Sequence, residues 1–203
     1  EVATDGTVKK IKEILFKDRD GQNITGLPNQ NFGATKEAAY DLNGKLLKQE
    51  TDEYGLDSEG LVAMKDGTFW VSDEYGPHIV HFDANGVEID RMNAFEQDTR
   101  RVGGYLLPNE FANRRPNRGM EGLTITPDGK TLVGIMQSTL NNPTAAVNKS
   151  DLTRIVTIDL ATKKVTQYLY KQEGGANAYS NSAITALSNT SFLVLERDGD
   201  FYK

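Results

Sequence analysis

The stretch DSEGLVAMKDGTFWVSDEYGPHIVHFDANG, residues 57–86, decides the fold of this chain. Two strand-like runs, GLVAM and TFWVSDE, flank the turn sequence KDG, and an Asp-Gly pair between such runs is a strong signal for a β-hairpin. The run HIVHFD then passes through the turn ANG into VEIDRM, which predicts a second hairpin. We therefore expect four consecutive antiparallel strands from this part of the chain.

The same pattern returns sixty-odd residues later, so that Phe69, Leu132 and Phe192 occupy equivalent places in three copies. GLTIT, PDGK and TLVGIMQ repeat the first hairpin, RIVTIDL, ATKK and VTQYLY repeat the second, and SAITALSNTSFLVLERD begins a third copy. Four antiparallel strands repeated at a fixed period are the signature of a β-propeller blade. The sequence thus predicts an all-β chain built from four-stranded antiparallel blades.

The predicted propeller is incomplete. A closed ring needs at least four blades, whereas clear repeats run only from about residue 55 to residue 203, and the chain stops within a blade. The N-terminal stretch holds either another hairpin pair or a helix, and ATKEAAYDLNGKLLK, residues 34–48, favours a hairpin turned at Asn43-Gly44 at least as well as a helix. We expect residues 1–203 to form one propeller domain or a fragment of one, completed by another segment.

Composition narrows the function classes. The chain has 203 residues, a net charge of −6 and no cysteine, which excludes thiol nucleophiles, disulfides and thiolate metal sites. The absence of a basic stripe argues against nucleic acid as a partner. No apolar run is long enough to span a membrane, and the start EVATDGTVKK has the character of a mature or trimmed terminus. These features fit an exported protein whose signal peptide has been removed.

Carboxylates recur at equivalent positions of the repeat. Glu59 and Glu121 each precede an inner strand, and radial repetition places such residues around one axis. Convergent carboxylate oxygens are the ligands that Ca²⁺ prefers. Alternatively, each glutamate caps backbone N–H groups or pairs with Arg118 or Arg197 where two blades meet. The candidate metal ligands are Glu59, Asp73, Glu74, Glu121, Glu196 and Asp198.

The densest polar cluster is SDEYGPHIVHF, residues 72–82. His78 follows Pro77 at a turn, where it is either a general base at a rim pocket or a packed histidine. Tyr75 either binds a substrate oxygen or is buried with a satisfied hydroxyl group. The basic run RRPNR, residues 114–118, is either a solvated loop or an anion contact. The chain has no Gly-x-Ser-x-Gly elbow, which argues against a serine esterase mechanism.

The phrases DSEGLVAMKDGTFWVSDEYGPHIVHFDANG, NRGMEGLTITPDGKTL and FLVLERDGDF resemble the bacterial phytase-like propeller proteins, a family described by the esterase-like activity of phytase. The resemblance covers roughly Gly55 to Phe201 and rests on three ordered motifs. It implies an exported β-propeller, periplasmic or extracellular, that hydrolyses phosphate or carboxylic esters. Two positions depart from the family pattern. Ser58 stands where proline is common, and Ala183 stands where an acidic residue is common, which leaves a gap in any ring of carboxylates.

Three functions compete for these features. The leading interpretation is a metal-dependent ester hydrolase that acts on a small phosphoester with Ca²⁺ as its cofactor. Its catalytic residues are then Glu59, Glu121 and His78, and its substrate-binding residues are Tyr75, Arg118 and Arg197. The alternative is a propeller that binds a small molecule, sugar or peptide without turnover. The third is a structural module in which acidic and basic side chains hold the blades together.

Overall fold

The computed structural model describes residues 1–29, 31–32, 37–174 and 180–198. Over these residues the regular secondary structure is β-strand, apart from two short 3₁₀ helices, Asn109–Asn113 and Ala145–Val147. The strands are β1 Ser58–Ala63, β2 Phe69–Asp73, β3 Ile79–Phe82, β4 Glu88–Met92, β5 Met120–Ile125, β6 Thr131–Met136, β7 Leu152–Asp159, β8 Val165–Lys171, β9 Ser180–Ala186 and β10 Phe192–Arg197. The predicted all-β class is confirmed.

The strands form three antiparallel sheets. The first sheet has the order β1-β2-β3-β4, the second sheet has the order β5-β6-β7-β8, and the third sheet contains β9 and β10. The predicted hairpins are therefore present, and each sheet follows the chain without a crossover. The sequence GDFYK, residues 199–203 at the end of the third copy, lies outside the described residues.

Short turns fix the register of these hairpins. Between β3 and β4, Asp83 Oδ1 accepts hydrogen bonds from the N–H groups of Asn85 (2.8 Å) and Val87 (2.9 Å). Gly86 then adopts φ +79°, a left-handed conformation that glycine takes at little energetic cost because it has no Cβ. The sequence ANG thus encodes its turn through local hydrogen bonds and one glycine, which explains why the hairpin was predictable.

Each inner strand (β1, β5 and β9) carries an irregularity at the same place. The pairing shifts between Ser58 and Leu61 of β1, and between Met120 and Gly122 of β5. In the third sheet it shifts where Leu195 pairs with Ala183 but Glu196 pairs with Asn181. Such a bulge places an extra residue on one strand and turns its side chain in a new direction. The extra residues include Glu59, Glu121 and Ser182.

The inner strands of adjacent sheets lie very close together because of glycine. A Cβ added to Gly60 would lie 2.5 Å from the backbone nitrogen of Leu123, and one added to Gly122 would lie 2.8 Å from that of Ile184. Both distances are shorter than real Cβ contacts allow. The glycine after each glutamate is therefore needed for sheet-to-sheet packing, because only a residue without Cβ allows this close backbone approach.

Apolar side chains fill the space between the sheets. The largest core cluster lies between the first and second sheets and includes Trp70, Met92, Met120, Leu132 and Ile158. A separate cluster between the second and third sheets centres on Val133, Ile135 and Ile184. Together these two cores fix the relative placement of the three inner strands, and with it the edge where their charged residues meet.

The N-terminal stretch packs on the other face of the first sheet. Phe16 stacks on Phe82 with ring centroids 4.2 Å apart, and Lys17 forms a parallel bridge with Val87. Its described part contains no helix. Tyr40 pairs with Leu46 across the Asn43-Gly44 turn, so a hairpin turn is present there. Residues 34–36 of the segment predicted as a hairpin or helix lie outside the described residues.

The three sheets form an open row in the described part of the chain, so no ring is closed. Their order and spacing still place all inner strands side by side. Of the two 3₁₀ helices in the described ranges, neither has the length or the apolar character needed to cross a lipid bilayer.

Candidate functional site

Charged and polar side chains from all three sheets meet at one edge, where the inner strands begin and their partner strands end. We call this set the rim cluster. Its members are Asp57, Glu59, Glu74, Arg118, Glu121, Gln137 and Arg197. The shared bulge directs residues of the inner strands toward this edge, and the partner strands contribute residues at or just after their ends.

Strand register shows that Glu74, Gln137 and Arg197 occupy equivalent positions in the three sheets. The residues just before them, Asp73, Met136 and Glu196, each pair with the residue that precedes the bulge. The corresponding bulge residues are Glu59, Glu121 and Ser182. The edge therefore changes from acidic at the first sheet to basic at the third, although the backbone pattern is the same.

The acidic part of the rim cluster contains Asp57, Glu59 and Glu74. One carboxylate oxygen from each lies within 4.8 Å of the other two. Burial, followed by repulsion from Glu121, Asp57 and Glu59, raises the pKa of Glu74 to about 8. Burial and the neighbouring carboxylates likewise raise the pKa of Glu59, and burial raises that of Asp57. This spot thus concentrates negative charge that a cation would neutralise.

Gln137 links the acidic residues of two sheets. Its Nε2 donates hydrogen bonds to Glu74 Oε1 and to Glu121 Oε2, the latter at 2.7 Å. Its backbone N–H donates to Gly119 O (2.8 Å), and its carbonyl accepts from Asn181 N–H (2.9 Å) in the third sheet. Gln137 therefore contacts all three sheets. The sequence analysis missed this residue, although its alignment with Glu74 in the repeat was an available signal.

The basic part of the rim cluster lies toward the third sheet. Arg197 Nη2 is 3.7 Å from Glu121 Oε1, and Arg197 Nε donates to Ser182 Oγ at 2.6 Å. The Arg197 side chain remains 51% exposed. Arg118 Nη1 lies 3.4 Å from Ser180 Oγ. Two guanidinium groups and two hydroxyl groups are thus arranged beside the carboxylates, a combination suited to an oxyanion.

Asp73 has a position different from that of the other carboxylates. It is fully buried and accepts hydrogen bonds from the N–H groups of Asp57 (2.8 Å), Gly76 (2.8 Å) and Tyr75 (3.2 Å). Burial raises its pKa to about 7, against the effect of these donors. Its contacts are those of a side chain that fixes the turn after β2. The predicted ligand Asp73 therefore supports the rim cluster from beneath.

The two acidic residues predicted from the third copy, Glu196 and Asp198, are not members of the group Asp57, Glu59 and Glu74. Glu196 accepts hydrogen bonds from the Tyr170 hydroxyl group (2.6 Å) and from Glu173 N–H (3.0 Å). These contacts join β10 to the end of β8. Asp198 follows Arg197 and is the last described residue. Neither belongs to the three carboxylates that lie within 4.8 Å of one another.

His78 is fully buried, with its Nε2 2.8 Å from the carbonyl oxygen of Phe32. Burial, together with Arg91 and Arg100, lowers its pKa well below the usual value, so the ring is neutral at neutral pH. A Cβ on Gly76 would overlap this ring, which shows how closely the turn after β2 covers it. These are the properties of the packed histidine that the sequence analysis held as one alternative.

Tyr75 and the basic run at residues 114–118 both stabilise the turn after β2. The Tyr75 hydroxyl group donates to Glu37 Oε2 (2.9 Å), and burial raises its pKa. Arg114 Nε donates to the Tyr75 carbonyl oxygen at 2.6 Å. At the end of this loop, a Cβ on Gly119 would overlap Glu74 O. The run RRPNR is therefore a bridge from the first sheet, through Arg114, to the third sheet, through Arg118.

Two comparisons with known proteins bear on the family of this chain. The chain is 31% identical over 162 residues to a protein of Arthroderma benhamiae described as an uncharacterized secreted protein. The aligned part is 66% of this chain and 31% of that protein, so the chain spans about a third of the relative's length. The profile of the phytase-like family, described as esterase-like activity of phytase, matches residues 3–202. On this match over nearly its whole length, the chain belongs to the phytase-like family.

Proposed function

We propose that this chain supplies the active-site edge of a metal-dependent ester hydrolase that acts on small phosphoesters. The observation that carries the proposal is the rim cluster, in which a carboxylate cluster and a pair of arginines share one edge of three sheets. Family membership supports ester hydrolysis as the reaction class. The contribution of each half of the cluster follows from its contacts.

Asp57, Glu59 and Glu74 would hold the metal ion. Their oxygens converge within 4.8 Å, and hard oxygen donors of this kind suit Ca²⁺. The raised pKa of Glu74 is compatible with this assignment, because burial is its largest cause and repulsion from Glu121, Asp57 and Glu59 adds to it. When bound, a divalent cation supplies positive charge that polarises a phosphoryl oxygen. The surrounding residues fix the positions of these three carboxylates.

Glu121 has a separate role in this proposal. Gln137 occupies one of its oxygens, and the other faces Arg197 at 3.7 Å. Glu121 therefore orients Arg197, and we place it outside the metal ligands. Arg197 and Arg118, assisted by the hydroxyl groups of Ser182 and Ser180, would bind the anionic group of the substrate. His78 is fully buried and takes no part in the reaction proposed here.

We also infer that the three sheets are consecutive blades of a β-propeller, as the sequence predicts. The adjacent inner strands, the common bulge and the shared edge support this inference. The rest of the ring would come from another segment. Export to the periplasm or the extracellular space is supported by the relative described as secreted.

A binding propeller without turnover is the second candidate. The described residues of the rim cluster include no serine, cysteine or histidine paired as nucleophile and base, which favours recognition of an anion over covalent catalysis. In this case a ligand such as inorganic phosphate would raise the melting temperature without being consumed.

Hydrolysis of p-nitrophenyl phosphate separates these functions. We expect release of p-nitrophenol that stops in excess EDTA and returns when Ca²⁺ is added back. The Glu74→Gln variant should be inactive, whereas Glu96→Gln, at an exposed position outside the rim cluster, should retain full activity. Turnover that is unchanged by EDTA would contradict the metal-dependent mechanism. Absence of turnover together with stabilisation by phosphate would favour the binding protein.

A further inference from the structure

A cavity lies away from the rim cluster, between the loop that follows β6 and the strands β7 and β8. Its volume is about 430 Å³, which falls in the range of small-molecule sites, about 300–1,000 Å³. Its lining includes Leu140, Val147, Ser150, Leu152, Arg154 and Leu169. The rim-cluster residues do not line it.

The wall of this cavity is ordered by local hydrogen bonds. Thr139 Oγ1 donates to Ser150 O (2.7 Å), which closes the loop on itself. Asn148 Nδ2 donates to Asn141 Oδ1 (2.9 Å), and Asn141 N–H donates to Asn113 O (2.7 Å). The loop is therefore held both internally and against the preceding part of the chain. A ligand would enter a formed cavity rather than order a free segment.

Two leucines give the cavity an accessible apolar surface. Leu169 is 63% exposed and Leu152 is 38% exposed, and they are on neighbouring strands. Leu140, in contrast, is buried and belongs to the core between the first and second sheets. An aliphatic group placed here would cover the two exposed leucines and rest on a rigid base.

Arg154 provides the only guanidinium group among the residues that line this cavity. Its Nη1 donates to the neutral Gln167 Oε1 at 2.5 Å. Among the described residues, no carboxylate forms an ion pair with it, and the nearby Asp151 pairs with Lys171 at 3.9 Å. An arginine with a neutral partner beside apolar side chains suits a carboxylate, which accepts two parallel hydrogen bonds from a guanidinium group.

We propose that this cavity binds a small amphiphilic carboxylate. The carboxylate contacts Arg154, and its aliphatic chain lies along Leu152 and Leu169 above Leu140. One guanidinium group matches a single negative charge, and the apolar wall favours a carboxylate with a hydrocarbon chain over a compact, highly charged anion. The site stands independently of the function proposed for the rim cluster, since the two sets of residues do not overlap.

Isothermal titration of the protein with octanoate tests this site. We expect saturable binding, and a loss of affinity of about tenfold or more for Arg154→Met, since charge-assisted bidentate pairs are the strong ones. Acetate, which lacks the chain, and 1-octanol, which lacks the charge, should both bind much more weakly. Leu169→Asp, at a largely exposed position that tolerates polar residues, should repel the carboxylate and also abolish binding.

Other outcomes would overturn the proposal. If octanol binds as tightly as octanoate, or if Arg154→Met and Leu169→Asp both keep wild-type affinity, there is no carboxylate site. A peptide that ends in leucine and binds much more tightly than octanoate would assign the cavity to a peptide terminus. Thermal melts of both variants, which should match that of wild type, provide the control for folding.

Discussion

Gln137 Nε2 donates to Glu121 Oε2 over 2.7 Å, and the same nitrogen also donates to Glu74. One neutral amide from the second sheet thus holds a carboxylate of its own sheet and one of the first sheet. Without it, two like charges at a largely buried edge would repel each other. This contact divides the rim cluster into a carboxylate spot around Glu74 and an arginine-facing carboxylate at Glu121.

Gln137→Leu should destabilise the metal-free protein by about 1–3 kcal/mol, because two buried acceptors lose their donor. Urea denaturation measures this change. Gln49→Leu, an exposed glutamine bonded to Thr51 O, is the matched control and should have a much smaller effect. Wild-type stability of Gln137→Leu would mean that the amide does not hold the two carboxylates.

Glu74→Gln and Glu121→Gln should have different effects on the protein. Glu74→Gln should abolish Ca²⁺ binding while raising the metal-free melting temperature by about 2–4 °C, since it relieves repulsion. Glu121→Gln should keep Ca²⁺ binding but raise KM, since Arg197 loses its orienting carboxylate. Calorimetric titration and steady-state kinetics measure the two effects. Loss of Ca²⁺ binding in Glu121→Gln would restore this residue to the metal ligands.

Gly60→Ala should lower the free energy of unfolding by about 2 kcal/mol or more, because overpacking forces the backbones of two sheets apart. The new Cβ would lie 2.5 Å from Leu123 N, an atom that cannot move independently of its strand. Gly26→Ala is the control, since a Cβ there meets nothing within 4 Å. Equal melting temperatures for the two variants would refute the close approach of the inner strands.

Asp98 should make the protein sensitive to acid. Burial raises its pKa, but hydrogen bonds from the side chain and N–H of Arg100 outweigh this effect and lower the pKa to about 2. A carboxyl group whose pKa is lowered by folding stabilises the protein at pH values above its pKa in the unfolded chain, near 3.8. This stabilisation is lost as the pH falls toward 2. We expect a loss of about 1–2 kcal/mol across this window.

Asp98→Asn tests this assignment. It should be less stable than wild type at pH 7, because Arg100 loses its buried partner, and the two stabilities should converge near pH 2. Denaturation at a series of pH values shows the convergence. Asp20→Asn, at an exposed turn, should follow the wild-type curve. Parallel curves for Asp98→Asn and wild type would assign the acid sensitivity to another group.

The sequence by itself determined the hairpins, the repeat and the equivalence of Glu59 and Glu121. These features are local: Asp83 bonds to N–H groups two and four residues ahead, and Gly86 takes a conformation that other residues avoid. Such information is contained within a few consecutive residues.

Only the tertiary structure decided which carboxylates converge. Asp57 joins Glu59 and Glu74, whereas Asp73, adjacent to Glu74, turns beneath the edge to bind three N–H groups. His78 is buried under the same turn. The direction of each side chain depends on strand alternation, on the bulge and on the neighbouring sheet. The contact with the neighbouring sheet, from Gln137 to Glu74, joins residues some sixty positions apart, so spacing along the chain does not reveal it.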